Sequence, residues 1–275
     1  MYFRRYQILF TMIFMFSYQQ VWALDIIMSA PPRESKQQAE TLYQPLAKAF
    51  TKILGRTVRY VYPDNLIKYQ LDMRKGKYDI AFDGPHFASW RIKHLKHELL
   101  VKLTGSIKFV TLVRRKDKNV SSLKDLVGKK ICSVSPPNLS ALTILDSYKN
   151  PVRQPILYGI RGGMKNVVSR FYEGACDAAV IRTSYYKKTF TLKQRYKLRV
   201  INQSLPLPNQ AFTVSQNLSA AEIAKLASAI ESGSVKAIIH PIAQRFGGSK
   251  AVFLAANTSE YFDQRLLLEG TVLGW

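Results

Sequence analysis

The sequence predicts a two-lobed α/β protein in which each lobe is a mostly parallel sheet flanked by helices. Strand-like apolar runs alternate with helix-like runs along most of the chain, the pattern of parallel sheets covered by helices. One plan, an apolar strand, a small polar residue, Pro-Pro and a helix, occurs twice, in "DIIMSAPPRES" and in "KICSVSPPNLS". Each copy is followed by the same second unit, a helix end, Gly, two residues, Asp and a strand: Gly76 and Asp79 in "LDMRKGKYDIAFDG", Gly174 and Asp177 in "SRFYEGACDAAVIRT".

The elements follow in order. "MYFRRYQILFTMIFMFSYQQVWALD" has Arg4 and Arg5, an apolar run from Ile8 to Phe16, and Val21-Trp22-Ala23 with small residues where a signal peptidase reads. Residues 1–23 are expected to be a cleavable signal peptide and Leu24 the mature start. The run is shorter than the roughly 20 residues of a spanning helix, so an uncleaved anchor is the less favoured reading. No Cys follows the cleavage point, which argues against a lipoprotein. Residues 24–108 form the first part of lobe 1, with a helix carrying Leu42, Leu46, Phe50 and Ile53 on one face and "VRYVYP" as middle strand. Residues 109–207 form lobe 2, with Leu142, Leu145 and Tyr148 on one helix face and "PILYGI" as middle strand. Residues 208–275 return to lobe 1. They hold the strand "AFTVSQ", a helix opened by the capping box Ser219 and Glu222 with Ile223, Leu226 and Ile230 on its apolar face, and a last helix from about Ser259 to Leu268. Two crossings, near "TGSIKFVTLVRR" and "SLPLPNQAF", make a hinge that lets a cleft close.

Composition bounds the class. Of 275 residues, 47% are hydrophobic and 21% charged, so the chain is globular. The formal charge is +23, and +21 without Arg4 and Arg5. Export and the scatter of the basic residues weigh against nucleic acid and leave a field that draws in anionic small molecules or envelope polymers, or a solvated basic surface with no specific partner. An oxidising compartment permits Cys132 and Cys176 to pair, whereas a free buried Cys behaves as a small hydrophobe; both readings stay open.

The stretch "CSVSPPNLSALTIL" stops as a strand and restarts as a helix, with Ser135, Asn138 and Ser140 crowding a first turn whose N–H groups lack intrahelical partners. Either a polar or negative group docks there, or the side chains cap the helix themselves. In "FDGPHFASW", Gly84 and Pro85 end a strand; Phe87 or Trp90 can wall a ligand with His86 as polar tip, or lie in the core under a helix. His94 and His97 have a chelating spacing but no third ligand, so a solvated face is expected and no metal. His240 before Pro241 reads as a turn residue. No Ser-His-Asp order, paired loop carboxylates, Walker glycines or zinc pattern is present, so neither catalysis nor a cofactor is expected.

"PPRE", "YQPLAKAFTKILGRTVRYV", "MRKGKYDIAFDGPHF", "FVTLVRRKDKNVSSLKDLVGKKI" and "YEGACDAAV" occur in the order seen in the phosphate/phosphite/phosphonate class of periplasmic substrate-binding proteins of ABC importers, which the chain resembles. The resemblance implies the type II periplasmic-binding fold, periplasmic localisation, a monomer, an interlobe ligand and a permease as partner. In relatives a Ser-Thr-Ser-Gly run grips phosphoryl oxygens; here those positions are Asn138, Leu139, Ser140 and Ala141. Leu139 cannot donate a side-chain hydrogen bond and Ala141 restricts the backbone relative to Gly. A family His aligns with Met164, a family Tyr near Asn65, and the position after the last strand holds Arg182 and Thr183. The resemblance therefore implies a changed anionic cargo, phosphonate-like or carboxylate-bearing. Asn138 and Ser140, with Ser135, are expected to hold its anionic end; Ser29, Gly84, His86 and Phe87 to form the opposite wall; Arg182 and Thr183 come next, with Arg182 pointing either to the ligand or to solvent. A sensor or adaptor of the same fold, signalling to a membrane receptor, is the alternative, and an exported protein coating envelope polymers a third.

Overall fold

The structure is a computed structural model that describes residues Asp25 to Gly270; the expected signal peptide lies outside the described residues. The chain opens with β1 (Ile26–Ser29), α1 (Lys36–Leu54), β2 (Val58–Tyr60), α2 (Leu66–Arg74), β3 (Ile80–Asp83), α3 (Pro85–Leu95) and β4 (Glu98–Leu103). A short β5 (Ser106–Ile107) leads into β6 (Phe109–Arg114), β7 (Lys130–Val134), α4 (Leu139–Asp146), β8 (Ile156–Ile160), α5 (Met164–Tyr172) and β9 (Ala178–Arg182). Then come α6 (Thr183–Thr189), α7 (Leu192–Tyr196), β10 (Leu198–Gln203), β11 (Leu207–Pro208) and β12 (Ala211–Val214). The chain ends in α8 (Ala220–Glu231), α9 (Lys236–Gly247), β13 (Phe253–Leu254) and α10 (Leu266–Glu269).

Two sheets form, in the orders β13-β4-β12-β3-β1-β2 and β10-β6-β9-β7-β8. Each has a parallel three-strand heart, β3-β1-β2 and β9-β7-β8. Beside each heart runs one antiparallel strand that has just entered from the other lobe, β12 against β3 and β6 against β9. A strand fed across the hinge arrives from the opposite end, so it pairs antiparallel, and the sheets are mixed. The crossings are tied into a ribbon by β5 and β11.

The repeated Gly-x-x-Asp unit has one physical meaning in both halves. Asp79 Oδ2 accepts from the Ile27 N–H at 2.8 Å, while the Asp79 N–H donates to the Ile27 carbonyl at 2.7 Å. Asp177 does the same with Lys130, at 2.9 Å in both directions. Each carboxylate clamps the start of the lobe's first strand to the start of its third. In the first lobe Asp79 Oδ1 also takes hydrogen bonds from Ser215 Oγ and Asn217 Nδ2, tying in the returning strand.

Helix starts follow their caps. Ser35 with Gln38 and Ser219 with Glu222 form capping boxes at α1 and α8. In α1 the apolar stripe of Tyr43, Leu46 and Phe50 is fully buried on the sheet. Three expectations change. Pro241 lies inside α9, so His240 is helical, not a turn residue. The expected last helix is broken into a 3₁₀ turn, Thr258–Tyr261, and the short α10, because Tyr261 is drawn inward to donate to the Asn209 carbonyl at 2.6 Å. The expected solvated face of His94 and His97 splits: His94 is exposed beside Glu269, whereas His97 is buried with Nδ1 3.2 Å from Thr213 Oγ1.

Cys132 and Cys176 are joined, with Cα atoms 5.7 Å apart. The bridge links β7 to the turn before β9 across 44 residues, and a loop of that length stabilises by about 4 kcal/mol through loss of unfolded-chain entropy. Replacing both cysteines by Ala is expected to lower the urea-derived unfolding free energy by roughly that amount; a change under about 1 kcal/mol would show that the bridge adds nothing beyond packing.

Candidate functional site

In each sheet the strand order reverses beside the first strand of the heart, at β1/β3 and at β7/β9. Loops at the carboxyl ends of such strands diverge and leave room for a ligand. The four strand ends and the turns and helix starts that follow them hold the sequence-predicted residues: Ser29 at the end of β1; Gly84 after β3 with His86 and Phe87 at the start of α3; Ser135 and Asn138 after β7 with Ser140 at the start of α4; Arg182 at the end of β9 with Thr183 opening α6.

The loops after β3 and β7 meet in direct contact. The β3 end is held by a buried network in which Arg91 Nε donates to Asp83 Oδ2 at 2.7 Å, Arg91 Nη2 donates to Tyr69 Oη at 2.9 Å, and the Tyr69 hydroxyl donates to Asp83 Oδ1. Beyond it, His86 is buried, stacked on Phe87 with ring centroids 4.2 Å apart, and 3.1 Å through Nε2 from the Pro137 carbonyl of the other lobe. A carbonyl only accepts, so Nε2 carries the proton. Burial pushes the His86 pKa down to about 3; the bond to Pro137 opposes this and the Arg33 charge adds to it. The neutral ring therefore leaves Nδ1 without a partner. Leu139 completes the seal: a methyl group on Gly84 would stand 2.8 Å from His86 Cε1 and 3.6 Å from Leu139 Cδ1. Phe87, Leu139 and Leu142 share one apolar cluster with Leu267 and Leu268 of α10.

The residues around this contact are engaged with the protein itself. Asn138 Oδ1 accepts from the Ser140 N–H at 3.0 Å and from Ser140 Oγ at 2.9 Å, so the pair caps α4, one of the two readings that the sequence left open. Ser140 is fully buried. Ser29 is buried and donates to the Val61 carbonyl at 2.8 Å. Ser135 is half-buried, its N–H on the Ile160 carbonyl and its carbonyl accepting from the Asn138 N–H. Phe87 is core, and Trp90 is half-buried in van der Waals range of His94. Met164 packs against the second-lobe core and against an apolar cluster shared by both lobes, and Asn65 caps α2. Arg161 and Lys165 are exposed.

The loops after β1 and β9 are different in kind. Arg33 lies with its guanidinium carbon 4.7 Å from the Phe246 ring centroid and 5.4 Å from that of Phe82, and donates through Nη2 to the Phe82 carbonyl at 2.8 Å. Its buried Nη1 has no partner. Arg182 faces it from the second lobe; its nearest hydrogen-bond partner is Asn209 Oδ1, at 3.5 Å, on the second crossing. Burial, then the charges of Arg33 and Arg245, push the Arg182 pKa down to about 10, so it stays charged at neutral pH but destabilised there. Thr183 Oγ1 is buried without a partner. The one acid in the group is Glu34, 3.3 Å from Arg245, and burial raises its pKa against the pull of Arg33 and Arg245. Three guanidiniums thus share a space with one reluctant carboxyl. Arg33 stands in the quoted "PPRE" run, but Arg245 and Asn209 carried no sequence signal, since a distant helix and the hinge bring them in.

Among the described residues no group of three His, Cys, Asp or Glu stands together for a metal, and no helix is long and apolar enough to cross a membrane.

Two lobes joined by a double crossing, with loops from both switch points facing each other, define a type II periplasmic-binding fold. The chain belongs to the family described as ABC transporter, phosphonate, periplasmic substrate-binding protein, whose profile matches residues 28–259. It is 28% identical over 124 residues to the phosphate-import protein PhnD of Mycolicibacterium smegmatis, an alignment covering 42% of this chain and 38% of that protein, less than half the length of either. XAC2383 from Xanthomonas citri, solved bound to ATP, superposes with a TM-score of 0.69 at 14% identity over 90% of this chain and 96% of that one. PhnD1 from Prochlorococcus marinus, solved with methylphosphonate, gives 0.67 at 15% over 90% and 97%. At these identities the likeness is one of fold.

Burial also pushes the His97 pKa down to about 3, helped by Arg91. His86 and His97 are thus neutral in the folded state below the pH at which the unfolded imidazoles, with pKa about 6.5, take up protons. The unfolded chain binds more protons across that window, so stability is full above it and falls as pH drops towards 3. Urea unfolding is expected to lose about 2 kcal/mol per histidine between about pH 6.5 and pH 4.5, and the double variant His86→Gln, His97→Gln to lose correspondingly less. Parallel pH profiles for the two proteins would exclude these rings as the source.

Proposed function

We infer that this is an exported solute-binding protein that captures a small anionic ligand between Arg33 of one lobe and Arg182 of the other, closes over it, and presents it to an ABC permease. Family membership supports the transport part of the reading. The disulfide supports export, because such bonds persist in oxidising compartments. Residues 1–23 then act as the leader that delivers the chain to the periplasm.

The observation that carries the ligand reading is the positive charge of Arg33 and Arg182 from opposite lobes, with the nearby acid Glu34 already engaged by Arg245 and Arg33 Nη1 unpartnered. An anion arriving there relieves mutual repulsion between guanidiniums, and its oxygens reach the unpartnered Arg33 Nη1 and Thr183 Oγ1. Binding energy and lobe closure are coupled in this arrangement, since the two arginines come from opposite sides of the hinge. A carboxylate suits the site better than a phosphonate: two guanidinium forks match its two oxygens, and the hydroxyl-rich grip on a phosphoryl group is replaced by Leu139 and Ala141. The apolar walls of Phe82 and Phe246 beside Arg33 suit a ligand with a hydrocarbon part.

A thermal-shift screen of short and aromatic carboxylates, methylphosphonate, inorganic phosphate and methanesulfonate is expected to select a carboxylate, and calorimetry then measures its affinity. Arg182→Met should weaken that affinity at least about thirtyfold, by leaving an anion without its partner. Asn138→Ala should instead cost about 1 kcal/mol of stability as a lost cap and change affinity little. Full affinity in Arg182→Met, or melting temperatures unmoved by every anion class, would remove the arginine site.

A further inference from the structure

The basic residues look scattered along the chain, but the fold gathers them. Residues 109–207 hold nineteen Lys and Arg against five Asp and Glu, a formal +14 of the chain's +23. From Arg182 to Arg199 there are seven cations and no acid. Arg182 turns inward as described, and the others build the outer face of lobe 2 on α6, α7 and the edge strand β10.

Two arginines organise that face without presenting their own charge first. Arg195 Nη2 donates to the Lys187 carbonyl and lies 3.4 Å from that of Tyr186, joining α7 to the end of α6. Arg115 donates through Nε to the Tyr196 carbonyl and through Nη2 to the Leu198 carbonyl at 3.3 Å, and its guanidinium carbon lies 5.0 Å from the Tyr196 ring centroid. Around this scaffold Lys116, Lys187, Lys188, Lys193 and Lys197 are all exposed. At its tip stand Leu192, 83% exposed, and Tyr196, 74% exposed, four residues apart and so on one face of α7.

We propose that this lysine-rich outer face of the second lobe, tipped by Leu192 and Tyr196, docks on anionic phospholipid headgroups. Lysines at a headgroup layer gain from its negative potential, while Leu and Tyr held among them reach the acyl boundary below. Tyr suits that depth because its ring is apolar and its hydroxyl stays wet. A polyanion such as a nucleic acid satisfies the lysines equally but offers no hydrocarbon layer for Leu192, and this decides between the two partners. The proposal is independent of what the interlobe site binds.

The test is sedimentation of the full chain, as the cell delivers it, with phosphatidylglycerol/phosphatidylethanolamine vesicles and with phosphatidylcholine vesicles. Binding is expected to the anionic vesicles alone and to fall with added salt. Leu192→Ser with Tyr196→Ser should lower partitioning about fivefold or more, and Lys187→Glu with Lys188→Glu and Lys193→Glu about a hundredfold or more. The same charge reversal on the first lobe, Lys48→Glu with Lys52→Glu and Lys225→Glu, should leave binding nearly unchanged. Equal binding to neutral vesicles overturns the proposal, as does an equal loss in the first-lobe triple, which would reduce the effect to net charge. Undiminished binding by the Leu192→Ser, Tyr196→Ser variant also overturns it, as the behaviour of a plain polyanion site. Because all substituted side chains are exposed, matching thermal melts verify that each variant is folded.

Discussion

The clamp formed by Asp79 on Ile27, repeated by Asp177 on Lys130, is the constraint on which the geometry of both lobes rests. It locks the first strand of each sheet to the third, with the second strand on the far side. The strand order therefore reverses beside the first strand. Everything placed at the carboxyl ends of those strands is pushed to one side of the lobe, and the double crossing turns the two sides towards each other. The facing of these loops is in this sense a consequence of a structural carboxylate at the other end of the same strands.

The two loop pairs brought together in this way have taken opposite physical solutions. Between β3 and β7 the gap is closed by contact: a neutral buried His86 against a carbonyl, Leu139 over Gly84, and an apolar cluster running on into α10. Between β1 and β9 the gap concentrates positive charge and leaves hydrogen-bonding capacity unmet. Closing the first pair also lowers the local dielectric for the second, which strengthens any ion pair formed there. Arg33 is prepared for that role at a cost offset locally, since two aromatic faces and one carbonyl hold it while one edge of the guanidinium stays unpartnered.

Charge is divided between inside and outside on the same principle. The inner arginines are few and directional, with Arg33 and Arg182 half-buried, whereas the outer lysines of lobe 2 are numerous, solvated and long-ranged in effect. Guanidinium is weakly hydrated and fork-shaped, so it suits the desolvated interior; ammonium is strongly hydrated and suits a surface facing a diffuse negative layer. Arg115 and Arg195 do a third job, bonding helix-end carbonyls and fixing the shape on which the lysines are displayed.

The α/β class, the internal echo, the strand and helix order and the capping boxes were legible in the sequence, because each rests on residues close together: a Pro-Pro after an apolar run, a Gly three residues before an Asp, a Ser three before a Glu. The turns that end β1, β3 and β7 were legible too, through the prolines that follow those strands. What the side chains do there was decided by the tertiary structure. Asn138 and Ser140 are polar residues at a helix start whether they hold a ligand or each other, and the choice depends on whether Pro137 and Leu139 meet His86 and Gly84 across the gap. Arg33, Arg182 and Arg245 are drawn together only when α9, which carries both Arg245 and Phe246, packs into the first-lobe core. His97, Tyr261 and the Asp83–Arg91 pair were unreadable for the same reason: a buried polar group is defined by distant partners that satisfy it, and local sequence records the group but not the partner.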